Sequence, residues 1–364
     1  MTVGDALEAI GAAAPPERAA QWDAVGLQIG DASADVASAG VCHEVTEDVA
    51  GAAVAAGLDL LITYHPLIFR PLDRVVAGSG VSGRTFRLAA AGVSLISVHT
   101  AWDVAPGGAA DALAAAFGLS DVVSFGPLWG ADSVKVITYV PASHVDVVSD
   151  ALGAAGAGVI GRYSGCSFRT SGVGSFVASE SATPHIGMPG EATSVDEIRI
   201  EISAPAAALA SIAAALVAAH PYEEPAWDVL HRTGDAGFLG RTGLLADGPL
   251  TLSELGTLVK STLGAEPRVA GHGESIHTRI AVMPGSGGEF VDLAAATGAD
   301  AVITGDVSHH RARAALDAGV AVIDAGHVPT ERPGLATLYA AVCDIVPGTV
   351  DLRHIDPDPW RPPA

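Results

Sequence analysis

The sequence predicts an α/β protein whose duplicated α/β core is interrupted by a ferredoxin-like α+β domain. Three observations carry this. Short apolar runs alternate with alanine-rich helical segments toward both ends, those two ends repeat one pattern, and the stretch between them changes rhythm.

In the first third, TEDVAGAAVAAG reads as a helix, LDLLITYHP as a buried strand, and TFRLAAAGVSLISVHT as helix then strand. In the last third, GEFVDLAAATG reads as a helix, ADAVITGD as a strand, HHRARAALDAG as a helix and VAVIDAGH as a strand. Set side by side, GLDLLITYHPLIF to AGVSLISVHTAWD matches GADAVITGDVSHH to AGVAVIDAGHVPTE. His65 then falls opposite Asp306, His99 opposite His327, and Asp103 opposite Glu331 with a gap of one residue. Each unit is strand–helix–strand with a polar cluster at the strand's C-terminal end, where open α/β sheets usually place ligands. The expectation is an internal duplication whose halves face one site.

The middle has its own order. SVKVITYVP is a strand and HVDVVSDALGAAGAG a helix; GVIGRYSGCSFRTSGVGSFV supplies a strand and a glycine-rich loop. EIRIEISAP is a strand, AALASIAAALVAAHP a helix and EPAWDVLHR a strand, which completes a split βαβ pattern. The expected organisation is a first core half at 1–128, the inserted domain at 129–235 and the second core half at 236–364.

Composition narrows the function classes. With 41 acids against 19 Lys and Arg the net charge is −22, a field that repels nucleic acid, and no basic run reverses it. The only lysines are Lys135 and Lys260; with the alanine excess this looks like GC-rich coding. The three cysteines, Cys42, Cys166 and Cys343, are far apart and form no CxxC, against a disulfide scaffold or a structural zinc site. No apolar run reaches the roughly 18 residues of a membrane span, and the start MTVGDALEAIGAAAPPE lacks a positive signal-peptide region. A cytoplasmic protein is expected.

Spacing alone singles out little. Six of the 13 histidines (His43, His99, His220, His231, His327 and His354) have an acid four positions on. Position is more informative, because His65, His99 and His327 each closely follow an apolar strand. With Asp103 and Glu331 they would supply the imidazole and carboxylate donors that divalent transition metals take, and a carboxylate able to bridge two ions. The bland account of each is a satisfied polar residue at a strand end. Thr330 can N-cap the last helix with Glu331 in its first turn. His309 and His310 begin a helix and either line the site or face solvent. HPYEEPAWD reads as a turn and an exposed face, and GSGGEF as a plain turn or a phosphate-holding helix start. No GxSxG, GxxxxGK[ST] or HExxH is present.

WDAVGLQIG, YHPLIFRP, HTAWDVAPGG, GDVSHH and AGHVPTE occur in that order. They resemble the family of GTP cyclohydrolase I type 2 homologues, also called NGG-interacting-factor-like proteins. GRYSGCSFRTSGVGSF and HPYEEPAWD look like the PII/CutA-like insert of its longer bacterial members. The resemblance implies a toroidal hexamer with two divalent metal ions per subunit (zinc, manganese or iron). By motif it implies His65, Asp103, His327 and Glu331 as ligands, with Glu331 bridging. Many members carry two histidines before the proline where this chain has Tyr64-His65. A phenol is a poorer ligand at neutral pH, so the second ion would be weakened or absent. His99, Asp306, His309 and His310 are candidates for supporting or catalytic contacts. The function expected is a metal-dependent hydrolase acting on a nucleotide or phosphate ester through water acidified by the metal. The alternative is a non-catalytic oligomeric metal-binding scaffold or regulator with the insert as sensor or lid.

Overall fold

Runs of small and branched apolar residues form short strands, and the alanine-rich segments between them form helices. The computed structural model describes residues 1–128, 133–160, 163–231, 237–355 and 358–360. The first segment contains α1 (Val3–Ala13), β1 (Gly26–Ile29), β2 (Ala39–Cys42), α2 (Glu47–Ala55), β3 (Leu60–Thr63), α3 (Gly80–Ala90), β4 (Ser94–Ser97), α4 (His99–Val104), α5 (Ala109–Ala116) and β5 (Leu119–Leu128). The middle contains β6 (Ser133–Pro141), α6 (Val145–Ala154), β7 (Ser167–Val177), β8 (Ala192–Pro205), α7 (Leu209–Ala219) and β9 (Trp227–His231). Then follow β10 (Gly237–Leu245), β11 (Leu250–Thr251), α8 (Leu252–Leu263), β12 (Arg268–Ala270), β13 (Ile276–His277) and β14 (Arg279–Ser286). The chain ends with α9 (Val291–Ala296), β15 (Ala301–Gly305), α10 (His309–Asp317), β16 (Ala321–Asp324), α11 (His327–Ile345) and β17 (Val350–Asp351).

This mixed α/β chain divides into two compact units, one of Met1–Gly130 with Ala236–Ala364 and one of Ala131–Asp235. The boundaries expected at 128/129 and 235/236 fall against residues 129–132 and 232–236, which lie outside the described residues.

In the first unit one sheet has the order β1-β4-β3-β2-β17. Strands β2, β3 and β4 run parallel, and β1 lies antiparallel on β4. A second sheet has the order β12-β16-β15-β14-β10-β5, with β14, β15 and β16 parallel and β12 antiparallel on β16. Strands β2, β3, β4, β15 and β16 are buried at every position, because helices cover both faces of each sheet. Thus Leu61 and Leu95 pack with Val49, Ala53 and Leu88 of α2 and α3. Leu60, Ile62 and Ile96 point the other way, into a core with Ile10, Trp102, Leu335 and Leu338. The second sheet repeats the arrangement, with α8 on one face and α9 and α10 on the other.

Two local expectations change. Strand β4 stops at Ser97, so His99 opens helix α4 instead of closing a strand. Helix α11 begins at His327 with Gly326 as its N-cap, so Thr330 lies inside the helix. The Thr330 hydroxyl donates to the His327 carbonyl at 2.7 Å and accepts the Gly285 N–H at 2.9 Å, pinning the helix start to the end of β14.

The second unit is an antiparallel sheet of order β7-β8-β6-β9. Val148 and Leu152 of α6 and Ile212 and Leu216 of α7 bury Val134, Val136, Ile200 and Ile202. In HPYEEPAWD, Glu223 and Glu224 are exposed as expected. His220, however, is buried and faces the Tyr139 carbonyl at 3.0 Å, and Tyr222 donates to Glu197 at 2.7 Å. Among the described residues no helix is long and apolar enough to cross a membrane.

Helices α5 and α11 meet at Gly334, where a Cβ would lie 2.4 Å from Ala109 Cβ and 2.5 Å from its Cα. Trp102 Nε1 donates to the Gly334 carbonyl at 2.8 Å, which fixes this crossing. Gly334→Ala should lower unfolding stability by about 1–3 kcal/mol through overpacking, despite alanine's better helix propensity. Urea unfolding measures it, and an unchanged midpoint would show that the helices separate freely.

Candidate metal centre

Because β2, β3 and β4 are parallel, with Cys42 level with Thr63 and Thr63 level with Ser97, the residues just past their ends share one edge. Those residues are His43, Tyr64, His65 and His99. On the other side α11 presents His327 and Glu331 one helical turn apart, so their spacing of four becomes a shared helix face. His99 and Asp103 stand in the same relation on α4.

The groups converge on Glu331, which is only 3% exposed. His43 Nε2 lies 2.7 Å and His65 Nε2 3.4 Å from its Oε2, and His327 Nε2 lies 3.1 Å from Oε1. The His65 ring centroid is 4.6 Å from that of His43, 5.1 Å from His99 and 5.5 Å from His327. Burial alone would raise the Glu331 carboxyl, but hydrogen bonds from His327, His43 and His65 hold it well below the usual range. Burial would likewise lower His327. Its hydrogen bonds to Glu331 and Asp306 win and raise it to about 9.

A second circle of carboxylates orients two of the imidazoles. Asp306 accepts from His327 Nδ1 at 2.7 Å, and Asp23 accepts from His99 Nδ1 at 2.8 Å. Asp23 also takes the Thr100 N–H at 3.0 Å and its hydroxyl at 2.5 Å. Anchoring Nδ1 leaves Nε2 as the atom turned to the site, the usual support for a metal-binding imidazole. Asp306 and His99 both have positive φ, 56° and 25°, so backbone conformations unfavourable to L residues sit at this site.

Tyr64 is fully buried, and its hydroxyl donates to Asp103 Oδ1. Burial, then the Asp103 charge, push the phenol well above its ordinary value, and burial pushes Asp103 up to about 6. The Tyr64 ring stacks on His43, 5.4 Å apart and 11° from parallel.

These residues fit a divalent ion. Ligand atoms of His43, His65 and Glu331 all lie within 4.8 Å of one another, a group that could hold a metal. Imidazole nitrogen with carboxylate oxygen suits zinc, manganese or iron. Space is kept open by Gly285, at φ 62°, where a Cβ would come within 2.5 Å of Glu331 Oε1.

Of the residues expected from the sequence, His65, His99, Asp103, His327 and Glu331 gather here, and Asp306 supports His327. His309 and His310 open α10 exposed, with rings 5.5 Å apart, and no contact joins either to Glu331 among the described residues. Sequence reasoning missed His43 and Asp23. The signal for His43 was its offset, since it follows the apolar run AGVC just as His65 and His99 follow theirs.

The family model described as Duf34/NIF3 (NGG1p interacting factor 3) matches residues 1–358. A Mycobacterium tuberculosis protein named GTP cyclohydrolase 1 type 2 homolog is 38% identical over 371 residues, covering 99% of this chain and 96% of its own. A Bacillus subtilis protein of the same name is 34% identical over 335 residues, covering 91% and 90%. Among solved structures, a Bacillus cereus protein related to NIF3 superposes with a TM-score of 0.65 at 31% identity, covering 100% and 99% of the two chains. The chain belongs to the Duf34/NIF3 family.

Proposed function

We propose that the protein is a divalent-metal-dependent hydrolase acting on a nucleotide or phosphate ester at the Glu331 site. The observation that carries this is a buried carboxylate whose two oxygens face different imidazoles, Oε2 toward His65 and Oε1 toward His327. That disposition suits a bridge between two ions, with His65, Asp103 and His327 as further ligands. A divalent ion supplies Lewis acidity and lowers the pKa of a water it binds. In this reading His99, held by Asp23, would carry a proton, and Asp306 keeps His327 Nε2 turned to the site.

The strand orders support the rest of this reading. β4-β3-β2 with antiparallel β1 outside β4 has a counterpart in β16-β15-β14 with antiparallel β12 outside β16, as a duplicated core requires. The order β6-α6-β7-β8-α7-β9 suits a ferredoxin-like insert of PII/CutA type. A toroidal hexamer in the cytoplasm, turning over a small molecule, belongs to the same proposal.

A second reading, a metal-binding regulator with the middle unit as sensor, is favoured by a cavity in that unit. It measures about 870 Å³ and is lined by Tyr139, Glu197, Arg199, Tyr222 and the β7 strand.

Assays of GTP and of simple phosphate esters with zinc, manganese or iron separate the two. The hydrolase reading expects turnover that falls at least ~100-fold in Glu331→Ala, with the oligomer unchanged by light scattering. Absence of turnover on every substrate and metal favours the regulator. Protons also compete with the ion for His327, which must give up its proton to bind metal. Uptake by the metal-free protein should therefore strengthen as pH rises from 6.5 to about 9, and His327→Gln should flatten that rise. A wild-type affinity independent of pH would remove His327 from the ligands.

A further inference from the structure

Resting on the metal reading above, the geometry points to His43, and not Tyr64, as the imidazole-bearing strand end that holds an ion together with His65 and Glu331 Oε2. Two residues at the strand edge compete for this role. Tyr64 has a single hydroxyl, and it is committed to Asp103 Oδ1 inside the core. His43 instead sends Nε2 to the same Glu331 oxygen that His65 faces, at 2.7 Å against 3.4 Å.

The surroundings of the His43 ring strengthen the assignment. It is 1% exposed, and its Nδ1 is buried with no hydrogen-bond partner among the described residues. His327 and His99 are each turned by a carboxylate on Nδ1, but His43 is oriented by stacking on the Tyr64 ring. The Glu331 carboxylate accepts from Nε2–H, while Nδ1 is free to take up the proton, so the ring can switch tautomer and turn the Nε2 lone pair to a cation that displaces this hydrogen bond. Tyr64 is then a positioning residue. Its ring is the platform for His43, and its hydroxyl keeps one Asp103 oxygen engaged. The resulting donor set, two imidazoles and one carboxylate with room for exchangeable ligands, is of the kind that catalytic zinc takes.

The test is calorimetric titration of Zn²⁺ into the metal-free full chain, with the visible spectrum of the Co²⁺-loaded protein as a second readout. Wild type should show one tight step, carried by this set. His43→Ala and His43→Gln should each weaken that step at least ~10-fold and change the Co²⁺ band, while thermal melts confirm folding. Tyr64→Phe keeps the platform and removes the hydroxyl, so it should retain the tight step. The inference is overturned if either His43 variant binds like wild type while Glu331→Ala does not. It is equally overturned if Tyr64→Phe loses the ion as His43→Ala does. A wild type that takes up no Zn²⁺, or a Glu331→Ala variant that binds it unchanged, sinks the metal reading itself.

Discussion

A carboxylate taken out of water must be matched by donors, and that requirement at Glu331 organises the first unit. Its match comes from three imidazoles on three separate elements: the ends of β2 and β3 and the first turn of α11. These contacts depend on where the helix starts, since Glu331 lies in its second turn. Thr330 fixes that start through the Gly285 N–H, and the tight α5–α11 crossing at Gly334 fixes the remainder of the helix. Gly285 matters for the same reason, since any side chain there would enter the space of the Glu331 carboxylate.

The location follows from strand direction. Parallel strands that end level present their next residues along one edge, and the helices that follow begin there. An imidazole at the first position of such a helix and an acid four residues on then face the same way. That local device occurs twice, as His99 with Asp103 and as His327 with Glu331. In both cases a second acid, Asp23 or Asp306, turns the imidazole.

Much of this was legible in the sequence, and the reasons for the rest are specific. The strands could be read because both faces are covered, which leaves apolar runs such as LLI and AVI closed by a single polar residue at the strand end. The echo of SVHTAWD in AGHVPTE identified the residues that gather at Glu331. Spacing could not do so, because His220 shares the pattern and yet lies buried against the Tyr139 carbonyl in the other unit. His43 escaped because nothing in CHE marks it except its distance from a four-residue strand, and which helix acid it would meet is a tertiary fact. Thr330 reads as a cap in the sequence because threonine is a favoured N-cap and an acid in the first turn suits a helix start. Here Gly326, at φ 89°, makes the turn and lets the helix begin four residues earlier than a Thr330 cap would.

The two units use their sheets differently, and β8 shows why. Ile198, Ile200 and Ile202 alternate with Glu197, Arg199 and Glu201, so one face lies under α6 and α7 while the other carries charge. Lys135 and Arg199 both pair with Glu201 on that polar face, at 2.8 and 3.0 Å. The first unit has no such free face on β3 or β4, and its polar chemistry is confined to strand ends. There the buried carboxylate is matched by His327, whose pKa is raised to about 9, and by hydrogen bonds from His43 and His65. An ion would displace protons without having to build the cluster. The framework around Glu331 is therefore set by packing and hydrogen bonds, and the cation adds to a site already formed.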